Sequence, residues 1–267
     1  MKVFVQYALN DSGKGKFLSR LIPALKKIGV ECRFKEKGCD VCLGISKWRG
    51  KTKLPKVLRV DGVHLEPGHE GQNHAIKKSI QSADAVIFQS RFAQSKVKEV
   101  LGVKPKKEFV IYNGANPKDY EIELIEGSNN FYNILISGKW ERNGKPRKQK
   151  GLKAALEHAY HRVRMDGCTR VWVVGETQEK SHHKRVRMEG RYTEDEMRHA
   201  LAICDEMIFM PEYDWCPNAV VEAKVAGLKL TLSNHPPMIE LLEVPREKLF
   251  IDNIAKEYKR AISSVLR

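Results

Sequence analysis

Short apolar runs rich in Val, Ile and Phe alternate along this chain with segments of helical periodicity, and the alternation runs through twice. In the first series, residues 3–7, 31–34, 41–45, 57–60, 85–89 and 109–112 read as strands. Residues 16–28, 75–83 and 91–101 read as helices between them. In 16–28 the residues Phe17, Leu21, Ile22, Leu25 and Ile28 fall at helical spacing, and Gly29 stops the helix. Apolar runs this short, separated by helices and short connections, predict parallel sheets covered by helices. A polar stretch at 116–130, with Pro117, Gly127, Ser128, Asn129 and Asn130, interrupts the pattern and reads as a linker. The second series then begins. Residues 133–137, 171–174, 207–210 and 228–232 read as strands, and 152–165, 194–203 and 218–226 as helices. Residues 253–266 close the chain as an amphipathic helix with Ile254, Tyr258, Ile262 and Val265 on one face. The expected fold class is therefore α/β, with two Rossmann-like domains at 1–120 and 121–267 and a terminal helix able to pack back on the first. Ligands of such sheets bind at the strand carboxyl ends, and a central cleft faced by both domains is the expected active site.

Composition removes several classes. The chain is 42% hydrophobic, enough for real cores, which excludes disorder. No run approaches the ~20 apolar residues of a transmembrane helix. The start, MKVFVQYALNDSGKGK, lacks a separate apolar core and a cleavage site, so it reads as a first strand and not a signal peptide. Six cysteines without regular spacing make no disulfide framework, and a reducing, cytoplasmic location is expected (host cytoplasm if the source is viral). The formal net charge of +15 points to a polyanionic partner. Residues 1–128 hold 24 Lys and Arg against 14 Asp and Glu, two thirds of the excess.

The most informative stretch is 210–233, MPEYDWCPNAVVEAKVAGLKLTLS. A strand ends, a polar loop follows, and a helix begins near Asn218. Asp214 then lies in the loop and Glu222 about one turn into the helix, so both can face one site. The amides of 216–219 open the helix and favour a phosphate. On its own, an acid before a helix and a Glu within it is ordinary surface chemistry, and Lys150 alone would be a surface lysine.

Taken in order with other segments, this stretch resembles the large family-four group of retaining GT-B glycosyltransferases. Asp-Trp-Cys-Pro-Asn-Ala-Val-Val-Glu-Ala is similar to that family's Glu-Gly-Phe-Pro-Asn-Val-Val-Leu-Glu-Ala, with Asp214 in place of the first Glu and Trp215 in place of a Gly. Residues 110–116, VIYNGAN, are similar to its V-I-P-N-G-V-D. Residues 82–90, SADAVIFQS, are similar to another of its strands. Residues 134–151, from Ile-Leu-Ile-Ser-Gly to Lys150-Gly151, resemble its diphosphate-binding segment. Lys150 matches the second basic position, and either Lys139 or Arg142 the first. Residues 171–175 resemble the strand that opens the base pocket, and 187–190 the segment beside the base.

The resemblance implies a compact enzyme, with a phage-type member as one reading, that transfers a sugar from a nucleotide-diphosphate sugar, expected to be a UDP-sugar, with no cofactor and no metal. Asp214, Lys150, Glu222, His64 and Asp61 are the catalytic candidates it implies. Gly13, Gly138, Lys139, Arg142, Lys150, Gly175, Met188, Cys216, Pro217, Asn218, Ala219 and Glu222 are its donor-binding candidates. Glu222 would hold ribose hydroxyls, Asp214 sugar hydroxyls, and Lys150 the departing diphosphate. The configuration would be retained by front-face attack.

The acceptor is read from charge. The run Lys47-Trp48-Arg49-Gly50-Lys51-Thr52-Lys53 places an aromatic among cations, and Lys104, Lys106 and Lys107 form a second cluster. These favour DNA, as a hydroxymethylated pyrimidine acceptor. The alternatives are a lipid, lipopolysaccharide or other envelope glycan, with the helix at 16–28 on an anionic membrane, and a non-catalytic nucleic-acid-binding protein on the same fold. Cys39 and Cys42 form a single C-x-x-C that lacks a second ligand pair and reads as packing near a strand. The basic run 142–150 also reads as a solvated charged loop. Gly13 and Gly15 follow the first strand without the spacing of a phosphate loop. His182 and His183 read as solvated.

Overall fold

The computed structural model describes residues 1–10, 12–121, 131–142 and 144–266. The part of the expected linker at 122–130, Asp11 of the loop after the first strand, and Asn143 of the basic run lie outside the described residues. The chain divides into two compact units, Met1–Ala115 with Glu247–Arg267, and Asn116–Arg246.

The first unit is built on six parallel strands: β1 (Lys2–Gln6), β2 (Glu31–Arg33), β3 (Val41–Ile45), β4 (Lys56–Val60), β5 (Ala85–Phe88) and β6 (Glu108–Val110), in the order β2-β1-β3-β4-β5-β6. β3 and β5 are buried at every residue, as strands covered on both faces must be. Three helices follow the strands: α1 (Gly13–Lys27), α2 (Glu70–Gln81) and α3 (Arg91–Leu101). Ser12 starts α1, its hydroxyl accepting from the Gly15 amide at 3.1 Å, and Ser90 starts α3 by accepting from Ala93 at 3.0 Å. α2 begins five residues before the periodicity at 75–83 shows, because its first turn, EGQNH, carries no apolar residue.

The second unit holds five parallel strands: β7 (Tyr132–Ser137), β10 (Thr169–Val174), β11 (Val186–Gly190), β12 (Glu206–Phe209) and β13 (Lys229–Leu232), in the order β11-β10-β7-β12-β13. A small hairpin, β8 (Glu141–Arg142) and β9 (Lys145–Pro146), follows β7. The helices are α4 (Leu152–Met165), α5 (Glu194–Ile203), α6 (Asn218–Ala226) and α7 (Pro236–Glu243). β11 and α7 have no counterpart in the sequence expectations. β11 is an edge strand with one buried residue, so its sequence, VRMEG, shows no apolar run. α7 opens on Pro236-Pro237, which reads as a breaker but fits a helix's first turn, where the amide needs no partner.

The terminal helix α8 (Ile251–Ser263) belongs to the first unit. Its buried Ile251, Ile254, Ala255, Tyr258, Ala261 and Ile262 join the core of α1, with the Tyr258 and Phe17 rings 5.9 Å apart. Ala115 and Ile251 fix its start through a 2.9 Å backbone bond. This assignment redistributes the charge. The first unit carries 28 Lys and Arg against 13 Asp and Glu, and the second 20 against 20. The whole excess of +15 therefore belongs to the first unit.

Candidate active site

A parallel sheet opens a crevice where its strand order reverses, because the loops after the two adjacent strands leave in opposite directions. In the second unit the reversal lies between β7 and β12, and in the first between β1 and β3.

At the β7/β12 reversal two loops run together. The Glu212 amide donates to the Gln149 carbonyl at 2.9 Å, and the Ser233 hydroxyl to that of Pro211 at 2.8 Å. Gly151, at φ +72°, lies so close to the Met210 carbonyl that a β-carbon there would overlap it. The zipped loops bring Lys150 and Asp214 into an ion pair, with side chains 18% and 14% exposed. Beyond Asp214, Cys216 and Pro217 are buried, and Asn218 and Ala219 open α6 half-exposed. No side chain caps α6 and no acid sits in its first turn, so its amide dipoles present positive charge. Glu222, one turn in, is 9% exposed.

The neighbouring strand ends are pinched together. The Gly138 amide donates to Val174 at 3.2 Å and the Gly175 amide to Gly190. Gly175, at φ +124°, has the Gly138 carbonyl and the Trp140 ring where a side chain would stand. Trp140 is 2% exposed and donates its indole N–H to the Val174 carbonyl at 2.9 Å. Trp140 is not among the sequence candidates; its only signal is an aromatic two residues past Gly138. Met188 lies half-buried on β11 beside Val173. Lys139 and Arg142 are exposed, the latter on the β8–β9 hairpin. Lys150 is the basic candidate whose ion pair with Asp214 brings two of the sequence candidates together.

The first unit repeats the arrangement with other residues. At its reversal Lys14 donates to the Ser46 hydroxyl at 2.5 Å and lies 3.1 Å from Asp61. The Ser46 hydroxyl in turn donates to Asp61. Ser46 adopts φ +65°, a left-handed conformation that costs a non-glycine residue of the order of 1–2 kcal/mol. Burial lowers the Lys14 pKa, since it disfavours the ammonium. Behind Asp61 lies Arg59, 2% exposed, paired with Asp61 and donating to Gln89 at 3.0 Å and Asn113 at 2.6 Å. Arg59, Lys14 and Ser46 are not sequence candidates; a basic residue inside the apolar run KVLRV is the available sign. His64 is exposed after β4, its ring stacked 4.8 Å from His69. Gly13 is exposed at the start of α1. Gly15 is the glycine that sterics require there, because a β-carbon would overlap the Asn10 carbonyl.

Two expectations change. Trp48 is not an aromatic platform among cations. Its indole N–H donates to Ser79 and Ser82, both at 3.0 Å, and its ring fills the space over Gly44. Lys47, Arg49, Lys51 and Lys53 around it remain exposed. The apolar stripe of α1 is likewise no membrane face. Phe17, Leu18, Leu21 and Leu25 are at most 1% exposed. Among the described residues no helix is long and apolar enough to cross a membrane. Cys42 sits on β3 with Cys39 just before it, and burial pushes both thiols up, Cys42 to about 12, which leaves them inert at neutral pH. Among the described residues no group of three or more His, Cys, Asp or Glu is placed to hold a metal ion.

No protein-family model matches the sequence, and no curated protein matches it. Solved structures do match. HepE of Anabaena, in complex with UDP and glucose, superposes with a TM-score of 0.65 at 14% identity over 99% of this chain and 91% of its own. Sucrose-phosphate synthase of Thermosynechococcus elongatus gives 0.67 at 11% identity, over 100% and 95%. A glycosyltransferase of Rickettsia africae gives 0.66 at 12%, over 100% and 98%. At such identities the likeness is one of fold, and the fold is that of the GT-B glycosyltransferases.

Proposed function

We propose that the chain is a retaining glycosyltransferase that moves a sugar from a nucleotide-diphosphate sugar, a UDP-sugar by the chemistry of its structural neighbours, to a hydroxyl acceptor. The observation that carries this reading is the Lys150–Asp214 pair at a strand-order reversal beside the uncapped start of α6. A diphosphate leaving a sugar gains negative charge in the transition state. A fixed ammonium and a row of helix amides stabilise that charge without reorganising. In this reading Lys150, with Lys139 or Arg142, holds the diphosphate together with the amides of 216–219. Asp214 and Glu222 hold sugar and ribose hydroxyls, and Gly138, Gly175 and Met188 border the base. Asp61, His64 and Gly13 are the sugar-facing candidates of the first unit by the family resemblance. HepE has been solved with UDP-glucose, which makes that donor the first to try.

A panel of sugar nucleotides assayed for nucleoside-diphosphate release separates an enzyme from a binding protein. Release from at least one donor is the expected result, and it should survive excess EDTA because protein cations serve the phosphates. Loss of all activity in EDTA with recovery in manganese would remove Lys150 from its role as the cation of the diphosphate.

For the acceptor we propose a hydroxymethylated pyrimidine in DNA. Its support is that the entire charge excess lies on the first unit, where Lys47, Arg49, Lys51 and Lys53 are exposed. Each phosphate contact adds about −0.9 to the slope of log affinity against log salt on duplex DNA. Replacing all four by Gln should flatten that slope by up to roughly 3–4 units while donor hydrolysis stays near wild type. Transfer should occur to DNA containing 5-hydroxymethylcytosine or 5-hydroxymethyluracil and not to unmodified DNA. Transfer to a lipid or lipopolysaccharide instead would replace this acceptor and leave the donor chemistry standing.

A further inference from the structure

The second unit has no net charge, yet three of its cations gather without a counter-ion among the described residues. A cavity of about 170 Å³ is lined by Arg170, Val171 and Trp172 of β10 and by Lys184, Arg185 and Arg187. Arg170 and Trp172 alternate with buried Val171 and Val173, so they share one face of the sheet, and Arg187 pairs with Trp172 across it. Arg185 is structural. Its guanidinium donates to the carbonyls of Val163 and Asp166, the latter at 2.7 Å. Arg170, Lys184 and Arg187 are exposed, and among the described residues none of the three side chains makes a hydrogen bond or ion pair. Among the described residues no carboxylate lines the cavity. In a unit with 20 cations and 20 anions, this grouping is local and does not reflect a general excess.

The two strand arginines also lie over aromatic rings. The Arg170 guanidinium lies 3.2 Å from the centroid of the Phe131 ring, and that of Arg187 lies 5.4 Å from the centroid of the Trp172 ring. Cation–π attraction restrains a guanidinium over a ring and leaves its N–H groups for bonds to phosphate. The Trp172 indole is anchored in turn by a 3.4 Å bond to Asn133. Flat cationic and aromatic faces beside free N–H donors suit bases and phosphates together. A hollow of this size admits one base or one phosphate of a flexible strand, and not the breadth of a duplex.

We infer that this cavity is a contact site for single-stranded nucleic acid. Its lining includes none of Gly138, Gly175 and Met188, although Val171, Trp172 and Arg187 fall in the segments 171–175 and 187–190 that resemble the base pocket, and competition with UDP distinguishes the two sites. The inference concerns binding without donor, and so stands or falls apart from the glycosyltransferase reading. The test is a titration of a labelled oligothymidylate by fluorescence anisotropy over a range of salt, on the full chain. The comparison is Arg170→Gln/Arg187→Gln, whose exposed sites leave the melting temperature unchanged. Single strands lose about 0.7 of salt slope per phosphate contact, so the double variant should bind more weakly and flatten the slope by about 1.4 units. Adding Lys184→Gln should remove about 0.7 more. An unchanged slope would overturn the inference. So would loss of binding to phosphatidylglycerol vesicles with oligonucleotide binding intact, which would make the surface a lipid-headgroup site. Displacement of the oligonucleotide by saturating UDP would assign the cavity to the donor and overturn it as well.

Discussion

Lys150→Met is expected to lower sugar transfer by about two to three orders of magnitude, the scale on which one preorganised donor facing developing charge acts. The loss should appear mainly in kcat. The ammonium meets a diphosphate in both ground and transition states, but the bridging oxygen carries its extra charge only as the sugar departs. Methionine keeps the length and apolar stem of the side chain, so the packing of the loop is nearly retained. Asp214 then loses its counter-ion in a site where it is 14% exposed. An unpaired carboxylate beside the diphosphate adds repulsion, which puts the effect toward the upper end of the range. Lys150→Arg should recover part of the rate, since the charge returns with a different fork. Wild-type kcat in a folded Lys150→Met protein would take Lys150 out of the diphosphate site, and the ion pair would then be a structural brace between two loops.

The elements that place this pair were largely legible in the sequence, because each rests on a local signal. The helices at 152–165 and 218–226 are bounded by glycines and apolar periodicity, and their bounds in the structure are the expected ones. The strands on either side are short β-branched runs. What could not be read was how loops distant in sequence share space. Nothing in KVLRV says that Arg59 is buried against Asp61, Gln89 and Asn113, since those partners lie up to 54 residues away. Trp48 looks solvent-facing within a run of cations, yet Gly44 leaves a gap that its ring fills. That α8 could pack back on the first domain was legible in its apolar face, but its meeting with α1 is a tertiary fact, and only with that fact does the charge resolve into a basic unit and a neutral one.

Gly151→Ala should destabilise the second unit by about 2–5 kcal/mol, through backbone strain and steric overlap together. An alanine at φ +72° costs about 1–2 kcal/mol by itself. The overlap costs more, because the new methyl runs into the Met210 carbonyl, a backbone atom that no rotamer change can move. Relief requires the segment ending at Gly151 to part from the segment leaving β12. That stretches the bond from the Glu212 amide to the Gln149 carbonyl, now 2.9 Å. Overpacking of this kind costs about 1–3 kcal/mol. For a unit of this size each kcal/mol lowers the melting temperature by roughly 2–4 °C, so a fall of about 10 °C is expected. Gly190→Ala is the control. Its φ is +67°, but nothing lies where its methyl would go, so it should show only the backbone strain, about a third of the effect. Any folded Gly151→Ala protein should also show a raised KM for the donor, because the parting loops carry Lys150 and Asp214. Equal melting temperatures for the two alanine variants would show that the loops are not in contact. A lowered melting temperature with an unchanged KM would separate this crossing from donor binding and leave it a purely structural feature of the β7/β12 reversal.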